Sequence, residues 1–194
     1  MRNSEIYRQT RETEIKVRLE LDGDGLANIN TPIYFFNHML ELFAKHGLFN
    51  IEVEATGDVE VDYHHMVEDI GICLGRALND ALGDKTSIKR YNSVFIPMDE
   101  ALVFASLDIS GRPFLVFDID FPLERIGSFE TELVKEFLVG FVNNGKLTLH
   151  VKLISGENTH HIIEALFKSF GRALSGAVEK DPRIKGVPST KGLI

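Results

Sequence analysis

The sequence predicts an α+β fold built from two duplicated half-domains, each an antiparallel sheet covered by helices. Three observations predict it. A histidine pair followed by a glutamate occurs twice, as His64-His65-Met66-Val67-Glu68 and as His160-His161-Ile162-Ile163-Glu164. Landmarks recur at matched distances around both copies: nine positions separate His38 from Gly47 and Glu136 from Gly145, and twelve separate His64 from Arg76-Ala77-Leu78 and His160 from Arg172-Ala173-Leu174. Strand-like alternation precedes helical periodicity in each half. From glycine to cluster the separations are 17 and 15 residues, a difference suited to a hairpin loop. The period lies far above the roughly 20 to 50 residues of a solenoid. The expected half-domains are therefore 1–92 and 93–194, together one catalytic unit.

The elements follow in order. Glu14 to Leu21 alternates charged and apolar residues, the pattern of a half-buried strand. Asp22-Gly23-Asp24-Gly25 supplies a turn. Phe36, Met39, Leu40 and Phe43 repeat at helical spacing up to His46-Gly47, where the glycine reads as an end signal. A strand over 49–55 comes next, and the first cluster opens a helix that runs to about Leu82 and stops at Gly83-Asp84. In the second half, strands are expected over 93–97, 100–109, 113–119 and 147–154, and helices over 130–143 and 160–179. Each sheet then buries its apolar face under helices.

The bulk composition narrows function. With 194 residues, 44% of them hydrophobic, the chain can bury a core of its own. A formal charge of −8 argues against a nucleic-acid partner, whose phosphates demand a Lys/Arg surplus. A single cysteine, Cys73, excludes an internal disulfide framework and reads as a buried core thiol. The segment MRNSEIYRQTRETE lacks the apolar core of a signal peptide, and no apolar run approaches the roughly 18 residues of a membrane span. A cytoplasmic protein without a membrane partner is expected.

The duplicated clusters point to metal. Residues four apart share one face of a helix, so His64 can meet Glu68, and His160 can meet Glu164. Adjacent residues diverge by about 100°, so His65 and His161 serve a different ion. His38 and Glu136, equivalent in the repeat, complete eight candidate ligands. Pseudo-twofold symmetry groups His64, Glu68, Glu136 and His161 around one ion, and His160, Glu164, His38 and His65 around the other. Nitrogen and oxygen donors without thiolate favour six-coordinate manganese or iron over closed structural zinc. A lone histidine would be read as a capping or solvated side chain, but coincidence in the repeat register reverses that reading. His150, within Leu147 to Leu153, reads as structural or interfacial.

Several further motifs, in order, resemble the imidazoleglycerol-phosphate dehydratase family: Arg11-Glu12-Thr13, Phe35-Phe36-Asn37-His38-Met39-Leu40, Glu54-Ala55-Thr56-Gly57-Asp58, both histidine clusters, Pro97-Met98-Asp99-Glu100-Ala101, Ser110-Gly111-Arg112-Pro113 and Pro188-Ser189-Thr190-Lys191-Gly192. The resemblance spans nearly the whole chain. It implies half-units of the βαβ type found in ribosomal-protein domains, two manganese ions per active site, and a homo-oligomer of 24 subunits with sites shared between neighbours. It also implies a lyase of histidine biosynthesis that dehydrates imidazole glycerol phosphate to imidazole acetol phosphate. Where this chain has Asn37, Met66 and Glu136, the family commonly has Asp, Thr and, in many members, His.

The reaction is demanding because the proton to be removed has no adjacent carbonyl. The resemblance implies that the substrate's imidazole, held by metal through both ring nitrogens, acts as the electron sink. Glu12 is the candidate acid/base carboxylate. For substrate binding the resemblance nominates Glu12, His46, Arg90, Arg112, Lys168, Ser189, Thr190 and Lys191, the cations and hydroxyls serving the phosphate. Two rivals are a two-metal phosphohydrolase and a ferritin-like metal store, the latter opposed by the strand-like segments.

Overall fold

A computed structural model describes residues 1–194. Two four-stranded sheets enclose four helices. The first sheet comprises β1 (Asn3–Gln9), β2 (Thr13–Glu20), β3 (Ala27–Asn30) and β4 (Asn50–Gly57), in the order β1-β2-β4-β3. Helix α1 (Tyr34–Gly47) precedes β4, and α2 (His64–Leu82) follows it. The second sheet repeats the plan with β5 (Tyr91–Met98), β6 (Ala101–Asp108), β7 (Phe114–Asp118) and, beyond a small hairpin of β8 (Arg125–Ile126) and β9 (Phe129–Glu130), β10 (Thr148–Ser155) in the order β5-β6-β10-β7. Helices α3 (Leu133–Gly145) and α4 (Thr159–Val178) flank β10. The duplication in the sequence is thus a duplication of topology.

Besides the short β8–β9 hairpin, two strands of the main sheets escape the sequence pattern. β1 pairs with β2 from Asn3↔Glu20 to Gln9↔Glu14, yet its inward side is only partly buried, so its alternation is weak. β3 is a four-residue polar edge strand. Each sheet also contains one parallel pair, β3 with β4 and β7 with β10, where wholly antiparallel sheets were expected. Both edge strands enter from the loop before a helix that returns across the sheet, and that crossover brings the next strand back in the same direction.

The helices form the inner layer. α2 lies on β1 and β2 and packs against α3, while α4 lies on β5 and β6 and packs against α1. Each half therefore lends its first helix to the second helix of the other half. The result is one continuous core of 50 buried hydrophobic residues, including Phe36, Phe43, Phe137, Phe141, Phe167 and Phe170. Cys73 is fully buried there, and burial pushes its thiol up to about 11.

Glycines set the closest approach. A Cβ on Gly171 would stand 2.6 Å from the Phe43 carbonyl oxygen, and one on Gly75 would be closer still to that of Phe141. Gly75 and Gly171 each lie eleven residues beyond the first histidine of their cluster, so the contact is itself duplicated. Gly47 does end α1, but the left-handed residue is Leu48, at φ 58°. Gly47 is small because the Phe49 ring and Gly171 backbone press upon it, a packing demand that the end-signal reading misses.

Candidate active site

Both histidine pairs occupy the first turn of a long helix. Asp62, two residues before His64, accepts a hydrogen bond from the His64 backbone N–H (2.8 Å), and Asn158, two before His160, accepts from His160 N–H (2.9 Å) and His161 N–H (3.4 Å). These caps satisfy donors that a helix start leaves unpaired. They also fix the rotation at which the clusters leave the helix.

At α4 three of the four side chains grouped from the sequence, His38, His160 and Glu164, converge within the chain, and His65 does not join them. His38 Nε2 and His160 Nε2 each lie 3.1 Å from Glu164 Oε1. The three ligand atoms fall within 4.8 Å of one another, and they form the only such trio in the chain. Donors in neighbouring positions of a six-coordinate ion with bonds of about 2.1 Å are about 3 Å apart, so the spacing fits a divalent cation. Glu164 is buried, and its second oxygen, Oε2, receives a 2.6 Å hydrogen bond from Lys168 Nζ. Burial alone would raise the Glu164 carboxyl, but the hydrogen bonds from Lys168, His38 and His160 outweigh it and hold the group at about 2. The edge of Phe35 meets the His160 ring 5.4 Å away.

The corresponding place on α2 is looser. His64 Nε2 is 3.8 Å from Glu68 Oε2, both side chains are 42% exposed, and Glu136 on the first turn of α3 does not close a comparable trio. The second histidines turn aside, as their angular spacing demands. His65 Nδ1 contacts Asp58 Oδ2 at 3.0 Å, with Glu12 Oε2 at 3.9 Å. His161 Nδ1 contacts Glu100 Oε2 at 2.7 Å, with Asp99 at 3.8 Å from Nε2. Neither Nε2 makes a hydrogen bond within the chain. Asp58 chiefly, then Glu12, raises the His65 pKa, and Glu100 does the same for His161. Reciprocally, His161 and the Asn158 N–H hold Glu100 at about 2.

Glu12 lies in the β1–β2 turn, which is held by Thr10 Oγ1 accepting from the Glu12 and Thr13 N–H groups, both at 3.0 Å. Beneath the turn, buried Asp69 of α2 accepts from Thr13 Oγ1 (2.5 Å) and Arg8 Nε (2.9 Å). The carboxylate of Glu12 is thus exposed on a pinned backbone. In the other half the β5–β6 turn carries Asp99 and Glu100, so an acidic hairpin stands beside the second histidine of both clusters.

Arg90, Arg112, Ser189, Thr190 and Lys191 line one cavity of about 860 Å³, together with Tyr91, Ser110 and Gly111. Arg90 is already paired with Asp108 at 2.7 and 3.2 Å, donates to the Pro188 carbonyl at 2.9 Å, and stacks over Tyr91. Arg112 and Lys191 form no ion pair within the chain, so theirs are the cavity's guanidinium and ammonium groups left to meet an anion. Lys168 and His46 are not part of this cavity. Lys168 belongs to the Glu164 cluster, and His46 near the end of α1 is lowered first by burial and then by Lys168 and Arg172. The acidic partners Asp58, Asp99 and Glu100 and the caps Asp62 and Asn158 were not assigned roles from the sequence. The caps were legible in principle as Asp or Asn immediately ahead of an amphipathic run.

Two half-domains of one topology, gathering imidazoles and carboxylates at helix starts and cations in a separate cavity, define a duplicated α+β enzyme. Residues 31–174 match the family model described as imidazoleglycerol-phosphate dehydratase. Relatives bearing that name from Acetivibrio thermocellus and Bacillus licheniformis are 58% and 55% identical, over 100% of this chain and 99% and 100% of their own. The crystal structure of imidazoleglycerol-phosphate dehydratase from Staphylococcus aureus superposes with a TM-score of 0.84 at 42% identity, covering 92% of this chain and 99% of that one. The chain belongs to the imidazoleglycerol-phosphate dehydratase family and is an enzyme of the lyase class.

Proposed function

We propose that the chain dehydrates D-erythro-imidazole glycerol phosphate to imidazole acetol phosphate and water in histidine biosynthesis, using two manganese ions per site. The convergence of His38, His160 and Glu164, in a chain whose relatives carry the dehydratase name over their full length, is the observation that carries this reading. In the reaction a C–O bond breaks beside the imidazole, a proton leaves the neighbouring carbon, and the resulting enol becomes the ketone.

His38, His160 and Glu164 would hold one ion, with His65 as fourth ligand. His64, Glu68, Glu136 and His161 would hold the other. Bound manganese would supply Lewis-acid polarisation and a template for the azole ring. The chain's own groups supply the rest. Asp58 and Glu100 fix the orientation of His65 and His161, the usual task of carboxylates behind histidine ligands. Glu12, on its pinned turn 3.9 Å from His65, is suited to carry the proton between substrate carbon and leaving hydroxyl. Arg112 and Lys191, with Ser189 and Thr190, would take the phosphate, while Arg90 is held in place by Asp108.

Association into a homo-oligomer with shared sites, 24 subunits on the family's pattern, is supported by the dispersal of these groups. The trio, the second histidines and the cationic cavity open at different places on one chain, and the free Nε2 atoms of His65 and His161 await a neighbour. No helix is long and apolar enough to cross a membrane; a cytoplasmic site of action completes the reading. The test is an assay of purified, manganese-loaded protein with imidazole glycerol phosphate. Ketone formation without phosphate release supports dehydration, and phosphate release would favour the phosphohydrolase rival.

A further inference from the structure

The two halves match in topology, but their clusters do not match in chemistry. Lys168 stands eight residues after His160, and the residue eight after His64 is Ile72. Each lies four residues beyond its cluster glutamate and so on the same helix face. On α4, Lys168 Nζ holds Glu164 Oε2 at 2.6 Å, leaving a single oxygen to meet the two imidazoles of His38 and His160. On α2, Glu68 accepts no hydrogen bond, is 42% exposed and has no lysine beside it. Glu136 on α3 holds in the repeat the place that His38 holds on α1, so the second carboxylate it would add stands where the α4 cluster has an imidazole.

These differences act on metal choice in one direction. Across the divalent first-row ions, preference rises from manganese to nickel, and imidazole suits the later ions whereas carboxylate suits manganese and magnesium. The α4 cluster offers two nitrogens and one oxygen, with the carboxylate charge cancelled by Lys168 and its second oxygen occupied. The α2 cluster offers one nitrogen and up to two carboxylates, free to bind through one oxygen or both. A histidine supplied to each by a neighbouring copy would leave the difference unchanged.

We propose that the two metal positions of this enzyme differ in selectivity: the His38–His160–Glu164 position prefers a borderline, nitrogen-seeking ion such as Ni²⁺, and the His64–Glu68 position retains the harder Mn²⁺. This rests on the bimetallic reading above and extends it to which ion each position selects. Lys168 is then a positioning residue, restricting Glu164 to a single donor oxygen.

The test is crystallographic and independent of turnover. Metal-free protein is equilibrated with one equivalent each of Ni²⁺ and Mn²⁺ per chain, and anomalous maps are measured at both absorption edges. The Ni:Mn occupancy ratio should be about tenfold higher beside His160 than beside His64, given the steeper preference of imidazole donors. In Lys168→Met, where both Glu164 oxygens are free, the contrast should shrink several-fold. A ratio equal at the two positions, a reversed ratio, or one that Lys168→Met leaves unchanged overturns the proposal. Absence of anomalous density at both positions would instead overturn the bimetallic reading, and this inference with it.

Discussion

Gly171 and Phe43 come together so tightly that a Cβ on the glycine would stand 2.6 Å from the phenylalanine carbonyl oxygen. The obstacle is backbone and cannot swing away, so an added methyl must part α4 from α1. His38 lies on α1 and Glu164 on α4, one or two turns before this contact, so parting the helices loosens the trio. Gly171→Ala should cost about 1–3 kcal/mol, the usual range for overpacking a core. Urea denaturation of metal-free protein checks the stability, and calorimetric manganese titration should show weaker binding.

Metal removal should separate function from fold. The trio and its counterpart lie at the margin of a core of 50 apolar residues that does not depend on them. Chelation with EDTA should abolish turnover while leaving the far-ultraviolet circular dichroism of the chain intact, and manganese should restore activity. Loss of secondary structure on chelation would show instead that the ions hold the fold.

Arg112 and Arg90 line the same cavity but differ in pairing. Arg90 is neutralised by Asp108 at 2.7 Å, whereas Arg112 has no acidic partner. A charge-assisted contact to phosphate contributes about 1.5–3 kcal/mol. Arg112→Met should therefore raise KM by roughly tenfold to a hundredfold with metal content unchanged. An unaltered KM would exclude Arg112 from phosphate binding.

Glu12 is tested most cleanly by isosteric replacement. Loss of a positioned acid/base group typically slows a reaction by about 10²–10⁴-fold. Glu12→Gln should lower kcat by that order while manganese content, read by atomic emission, stays that of the wild type.

The hydrogen bond that Asp58 accepts from the His65 ring is the largest cause of the raised His65 pKa. A raised value means that His65 keeps its proton to higher pH than an ordinary imidazole. That proton competes with metal, so uptake at this position should weaken as pH falls toward and through the His65 pKa. Asp58→Asn should lower the pKa and shift the midpoint of uptake to lower pH, as proton NMR of the His65 ring would report. The sign reverses for Glu164. Its carboxyl, held at about 2 against an ordinary 4.5, contributes stability above pH 4.5 that is lost as pH falls toward 2. Glu164→Gln should remove that segment of the acid-unfolding curve.

Local pattern and spacing alone determined the repeat, the fold class, the principal helices and the two histidine–glutamate clusters, because periodicity and duplicated register are written in one dimension. β1 and β3 were not legible, since each is a strand only through a neighbour's edge: β1 lacks a strongly buried face, and β3 is four polar residues paired with β4. The gathering of Arg90, Arg112 and Lys191 rested on resemblance, and nothing in their spacing indicates that they share a cavity. Tertiary structure alone decided that α1 packs on α4 and α2 on α3, which brings His38 of one half to His160 and Glu164 of the other. It also decided that Lys168 serves Glu164, because which side chains meet across a core depends on how closely glycine backbones let two helices approach.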